Sequence, residues 1–194
     1  MISHRHNTIF IHINKCGGSS IDHALSGKFG GHSPAIYYKK KFPYHFNEYF
    51  KFSIIRNPWD RMVSLYHFHK KQQWRKWTTT APDSFEDFIK NYLTPGRTTP
   101  KSGIPISTCC YDWLYDKKGA RLVDFIGRFE NLEQDFHEAC RRAKIKRRSL
   151  PHINQSDRKH YSIYYNNKTQ DIVNKVFRKD VEFFKFKFNN KKCI

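Results

Sequence analysis

Lys15 stands between an apolar, β-prone run, Ile9-Phe-Ile-His-Ile13, and the tetrad Gly17-Gly-Ser-Ser20. An ammonium next to two glycines and two hydroxyls is chemistry for an anion. The glycines permit a sharp turn, Ser19 or Ser20 can cap a helix that follows, and the unpaired amides at a helix N-terminus attract negative charge. Phosphate is the ligand class this points to. The nucleoside-triphosphate loop G-x-x-x-x-G-K-[ST] does not fit, because here the lysine precedes the glycines and no Ser or Thr follows a lysine to hold magnesium. Read alone, Gly17-Gly18 is equally a plain strand-to-helix connection.

Arg56-Asn-Pro-Trp-Asp-Arg61, with Ser64 and Tyr66 beyond it, is the second constellation. Arg56 falls at the C-terminal end of an expected strand, where open α/β sheets gather their ligands. Arg61 and Ser64 lie three apart on the expected helix and so share a face. A guanidinium and a hydroxyl so placed could grip one phosphate group from two sides. The plainer reading has each arginine pairing with Asp60 or capping a helix.

These residues need a scaffold, and the chain offers one. Expected strands at 8–14, 50–55 and 121–126 alternate with expected helices ending near Gly27, from Pro58 to about Trp74, from Ser84 to Leu93 and from Leu132 to Ala143. A last helix carries Ile172, Val173, Val176, Phe177 and Val181. Such alternation predicts a single α/β domain over residues 1–194, with a central, mainly parallel sheet flanked by helices. The core is rich in rings, with 17 Phe and 11 Tyr.

Composition narrows the function classes. No apolar run approaches the ~20 residues that span a bilayer, and Met1-Ile-Ser-His-Arg-His6 lacks the apolar region of a signal peptide. The five cysteines form an odd set without a C-x-x-C pair, which predicts reduced thiols and a cytoplasmic setting; a Golgi-lumenal fragment without its anchor has the same signature. With 36 Lys and Arg against 17 Asp and Glu, a formal charge of +19, the partner is expected to be acidic. Nucleic acid, an anionic polysaccharide and a polyanionic cofactor all satisfy that charge. The pairs His4/His6 and His67/His69 have poor spacing for metal and read as solvated, so no metal site is expected.

Taken together, the two motifs resemble the paired signature of sulfotransferases that use 3′-phosphoadenosine 5′-phosphosulfate (PAPS). Lys15-Cys-Gly-Gly-Ser-Ser20 is similar to the family's 5′-phosphosulfate loop, and Arg56 to Arg61 with Ser64 and Tyr66 to its 3′-phosphate motif. Phe125 to Leu132, Leu150 to Ser156, Tyr164-Tyr165 and Asp180 to Phe184 resemble segments of the carbohydrate branch, in a small form of the heparan-sulfate 2-O type. Asn14 stands where the family usually has proline, and the chain is short for the family, which implies a reduced acceptor surface.

The resemblance implies a P-loop-like sulfotransferase fold and roles for individual residues. Lys15 contacts the 5′-phosphate and the bridging oxygen, Cys16, Gly17, Gly18, Ser19 and Ser20 cradle the phosphosulfate, and Arg56 with Ser64 binds the 3′-phosphate. Asn154, Ser156 and Arg158 close over the nucleotide. His32, in Gly31-His-Ser-Pro-Ala35, is similar to a histidine in related small sulfotransferases and is the expected general base, with Glu48, Glu130 and His152 as alternatives. A neutral imidazole near its ordinary pKa suits proton abstraction at neutral pH. The implied reaction moves a sulfuryl group from PAPS to a hydroxyl of an acidic or uronic carbohydrate, leaving the bisphosphate PAP and requiring no metal. A basic nucleic-acid-binding module and a PAP-binding protein without transferase activity are the alternatives; nucleic acid is the less favoured partner.

Overall fold

A computed structural model describes residues 1–28, 30–71, 82–93, 103–146, 149–151 and 158–190. The chain falls into two compact units, Met1–Arg56 with Cys110–Gln155, and Asn57–Cys109 with Ser156–Ile194. Each is described by itself.

The first unit holds a four-stranded sheet in the order β1 (Ile2–Ser3), β2 (Thr8–Ile11), β3 (Phe50–Ile55) and β4 (Phe125–Arg128). The β1–β2 pair is antiparallel; β2–β3 and β3–β4 are parallel, so the sheet is mainly parallel as expected. Phe10 registers with Phe52, their rings 5.0 Å apart. Alternation then puts Phe10, Phe52 and Ile54 on one face, against Ile21 and Leu25 of α1 (Gly18–Ser26) and Phe136, Ala139 and Cys140 of α7 (Leu132–Arg142). Ile9, Ile11, Ser53 and Ile55 point the other way and are buried too, so β2 from Ile9 and β3 from Phe52 are covered on both faces, as parallel strands are.

Three expectations change here. The first strand stops at Ile11 and not at residue 14, because the Ile13 amide turns back onto the Ile11 carbonyl at 3.1 Å. The third strand is shifted to Phe125–Arg128: Leu122 donates to the Leu114 carbonyl at the end of α6 (Cys110–Leu114), and Arg121 bridges Tyr115, so the chain is engaged elsewhere until Asp124. Beyond Gly30-Gly31 the sequence reads only as a polar, His-containing segment, yet it forms two short helices, α2 (Ala35–Lys41) and α3 (Pro43–Glu48), begun by Pro34 at the N-cap and Pro43 in the first turn.

Gly127 explains how α7 docks. A Cβ there would stand 2.6 Å from Ile54 Cδ1 and 2.7 Å from Asp135 Cβ, and the Asp135 carboxylate accepts the Arg128 amide at 2.6 Å. Only glycine lets the helix approach the strand so closely.

The second unit is helical among its described residues: α4 (Pro58–Lys71), α5 (Phe85–Tyr92), α8 (Asn167–Val176) and α9 (Arg178–Phe183). Ser84 caps α5, its Oγ accepting from the Asp87 amide, while Asn166 and Thr169 form a reciprocal capping box on α8. The expected last helix is two helices, since Phe177 departs from helical geometry with φ −105° and ψ 26° between them. The expected end of α4 near Trp74 lies outside the described residues.

Candidate active site

β2 delivers the chain to a turn in which Lys15 and Gly17 both adopt left-handed backbone, φ +64° and +79°. For glycine this is free, but for lysine it costs roughly 1–2 kcal/mol. Arg56, at the end of β3, opposes that cost: its Nη1 donates to the Lys15 carbonyl at 2.8 Å, and its guanidinium lies 3.7 Å from the centre of the Phe129 ring. Arg56 is only 5% exposed. It thus clamps the lysine loop, a role its sequence position did not disclose.

Gly17 is the N-cap of α1, so Ser19 and Ser20 are not caps, as expected, but first-turn residues. A glycine cap offers no side-chain oxygen to the amides that follow it, and helix-dipole charge favours an anion there. The turn is also tight. A Cβ on Gly17 would lie 2.9 Å from Leu132 Cδ2, and one on Gly18 would lie 2.2 Å from His12 Cδ2. Cys16, expected in the cradle, is buried, its Sγ 3.7 Å from the Asn14 carbonyl and its amide donating to the Ile13 carbonyl at 3.4 Å, so both its donors are turned into the loop itself.

His32 approaches this loop through His12. Its Nδ1 is 2.9 Å from the His12 carbonyl, and the two rings meet edge to face at 4.3 Å. A carbonyl only accepts, so Nδ1 carries the hydrogen and the lone pair of the neutral ring sits on Nε2. Burial first, then its neighbours His12 and Lys15, lower the His32 pKa to about 4. This departs from the ordinary pKa expected of the base: burial keeps the ring neutral at pH 7 but makes it a weaker proton acceptor than an ordinary imidazole.

Sequence reasoning missed His12 and Asp22. His12 Nδ1 donates to Asp22 Oδ2 at 2.8 Å, and the same oxygen accepts the Gly30 amide at 2.9 Å. Both side chains are buried, at 2% and 0% exposure. A signal existed: Asp22 shares the inward stripe of α1 with Gly18 and Leu25, and an acid on an apolar stripe requires a partner. Of the alternative bases, Glu48 and Glu130 are exposed, and His152 lies outside the described residues.

In the second unit Arg61 and Ser64, three apart on α4, differ in burial. Arg61 is 1% exposed, donates to the Thr108 carbonyl at 3.1 Å and packs by Phe177, whereas Ser64 is half-buried. Arg158 instead meets this helix, pairing with Asp60, one turn before Ser64. Tyr165 donates to the Trp59 carbonyl at 2.8 Å, and burial pushes its hydroxyl well above the usual range. Asn154 and Ser156 lie outside the described residues. His69, expected to be solvated, is buried at 4%, because it follows Met62, Leu65 and Tyr66 around the inner face of α4. Among the described residues no cluster of His, Cys, Asp or Glu could hold a metal ion, and no helix is long and apolar enough to cross a membrane.

The profile described as "Sulfotransferase family" matches residues 1–187. The chain is also similar to an uncharacterized protein of Archaeoglobus fulgidus, with 29% identity over 98 residues, covering 50% of this chain and 69% of that protein.

Proposed function

This chain belongs to the sulfotransferase family, and from that premise we propose that it transfers a sulfuryl group from PAPS to a hydroxyl of an acidic carbohydrate, with His32 as general base. When bound, PAPS supplies an activated sulfuryl group on a phosphate leaving group. The residues present fit such a donor: a glycine cap in left-handed backbone at the start of a nine-residue helix, the half-buried Ser19 hydroxyl in its first turn and the half-buried Lys15, while Ser20 is buried.

One observation carries the reading. The lysine loop and a neutral histidine with its lone pair on Nε2 are joined through a single backbone carbonyl, that of His12. Base and anion loop are therefore held in one piece, as in-line transfer demands. His32 takes the acceptor proton at Nε2. Lys15 supplies fixed positive charge where negative charge grows on a leaving oxygen, and the amides of Gly18 and Ser19 orient the anion, the Ser20 amide being taken by the Gly17 carbonyl at 3.2 Å. Arg56 keeps the loop in shape through the Lys15 carbonyl. The assignment of Arg56 and Ser64 to the 3′-phosphate, the closing of Ser156 and Arg158 over the nucleotide, and the 2-O-type branch rest on motif resemblance. The match spans residues of both units, which supports reading residues 1–194 as one catalytic domain.

The test is calorimetric titration of PAP against AMP, followed by label transfer from PAPS to a panel of acidic and neutral oligosaccharides. Expected are PAP binding at least tenfold tighter than AMP, about 1.4 kcal/mol, and transfer confined to acidic acceptors. Weak, equal binding of both nucleotides alongside salt-sensitive oligonucleotide binding would replace this reading with that of a nucleic-acid-binding module.

A further inference from the structure

We propose that Asp22 and His12 are positioning residues that lock the base His32 and the Lys15–Ser20 loop to each other; the inference rests on the reading of His32 as base. Asp22 Oδ2 receives two donors. One is His12 Nδ1 at 2.8 Å, from the residue that opens the lysine loop; the other is the Gly30 amide at 2.9 Å, two residues before His32. A single buried carboxylate oxygen thus ties together the two segments that must cooperate.

The ring it holds touches both partners. His12 lies edge to face with the His32 ring at 4.3 Å, and its own carbonyl takes the His32 Nδ1 hydrogen at 2.9 Å. On the other side it fills the space above Gly18, where any Cβ would stand 2.2 Å from the ring. A turn of this imidazole would therefore disturb the start of α1, and a shift of its backbone would release the tautomer of His32. The alternative, that the pair only fills the core, leaves a charge-bearing side chain buried at 0% exposure with Oδ1 lacking a hydrogen-bond partner among the described residues. Such a group costs stability that an apolar residue would not.

The decisive measurement is ¹⁵N-histidine NMR together with steady-state kinetics on wild type, Asp22→Ala, Asp22→Asn and His12→Ala. Wild-type His32 is expected as a single Nδ1–H tautomer. Asp22→Ala should give mixed tautomers and a kcat lower by about tenfold or more, with a smaller change in KM for PAPS. Asp22→Asn, whose amide oxygen can accept both donors, should recover most of the loss. Should Asp22→Ala fail to fold, His12→Ala decides in the same way. An Nε2–H tautomer in wild-type His32, or variants that leave tautomer and kcat unchanged, would overturn the proposal. If the wild type neither binds PAP nor transfers sulfate, the functional reading fails, while the NMR comparison still decides whether the pair positions His32.

Discussion

Lys15 carries two separable burdens, a charge and a backbone conformation. Its charge is assigned to the leaving oxygen, so Lys15→Ala should reduce kcat by roughly 10²–10³-fold, the loss typical when one donor to a developing oxyanion is removed. Its φ of +64° is a glycine-like conformation. Lys15→Gly should therefore be as inactive as Lys15→Ala yet more stable by about 1 kcal/mol in denaturant titration. Near-normal turnover in either variant would remove Lys15 from the chemistry, and equal stability would place the strain elsewhere.

His32 makes a pH prediction of its own. With its pKa lowered from 6.5 to about 4, the free enzyme keeps a neutral base well into acid, so the acidic limb of kcat/KM should fall with a midpoint far below 6.5. The same shift affects folding. Above pH 6.5 both folded and unfolded chains hold the neutral ring; between 6.5 and 4 the unfolded chain binds a proton that the folded one refuses, so stability drains as pH falls through this window. Thermal midpoints of wild type should accordingly drop more steeply from pH 6.5 to 4 than those of His32→Gln. A limb at or above 6.5 would mean that another group is the base.

At the scale of elements, the approach of α1 to β2 is set by one missing methyl. Gly18→Ala would drive a Cβ into the buried His12 ring, which should cost about 1–3 kcal/mol of stability by overpacking and weaken PAP binding as well, because the first turn of α1 must move to make room. Unaltered melting and binding would show that the ring yields freely. Elements with local signals were legible in the sequence: Phe50–Ile55 is observed as expected, and the α1 stop at Gly27 is a left-handed cap. The misplaced third strand was not legible, because Arg121 to Val123 is as β-prone as Phe125 to Arg128 and only the contacts with Tyr115 and Leu114 decide between them. The site divides in the same manner. Lys15 and the glycines announce themselves by type and spacing, whereas Arg56 as a loop clamp and Asp22 beneath His12 depend on which segments fold together, and no spacing rule brings residue 22 to residue 30 or residue 56 to residue 15.

Over the whole molecule, a formal charge of +19 needs an explanation that the donor site alone does not give. Some of the charge is locally balanced: Arg141 and Arg142 both pair with Glu138, and Arg178 pairs with Glu182. These are exposed pairs that add little stability. Lys39, Lys40 and Lys41, by contrast, stand exposed at the C-terminal turn of α2, the helix that begins three residues after His32. Excess positive charge of this kind attracts polyanions over distances that salt screens, with a Debye length of about 8 Å at physiological ionic strength. An acidic oligosaccharide should therefore show a KM that rises about tenfold or more between 50 and 250 mM salt, by the same counterion release that governs polyanion binding. A neutral sugar acceptor should show almost no change. Replacing Lys39, Lys40 and Lys41 together by Gln should flatten the salt dependence for the acidic acceptor while leaving PAP affinity as it was. If salt acts equally on acidic and neutral acceptors, the charge serves some partner other than the acceptor. Competition between PAP and a single-stranded oligonucleotide would then identify it: an oligonucleotide that binds without displacing PAP, and that tolerates Lys15→Ala, occupies a surface of its own.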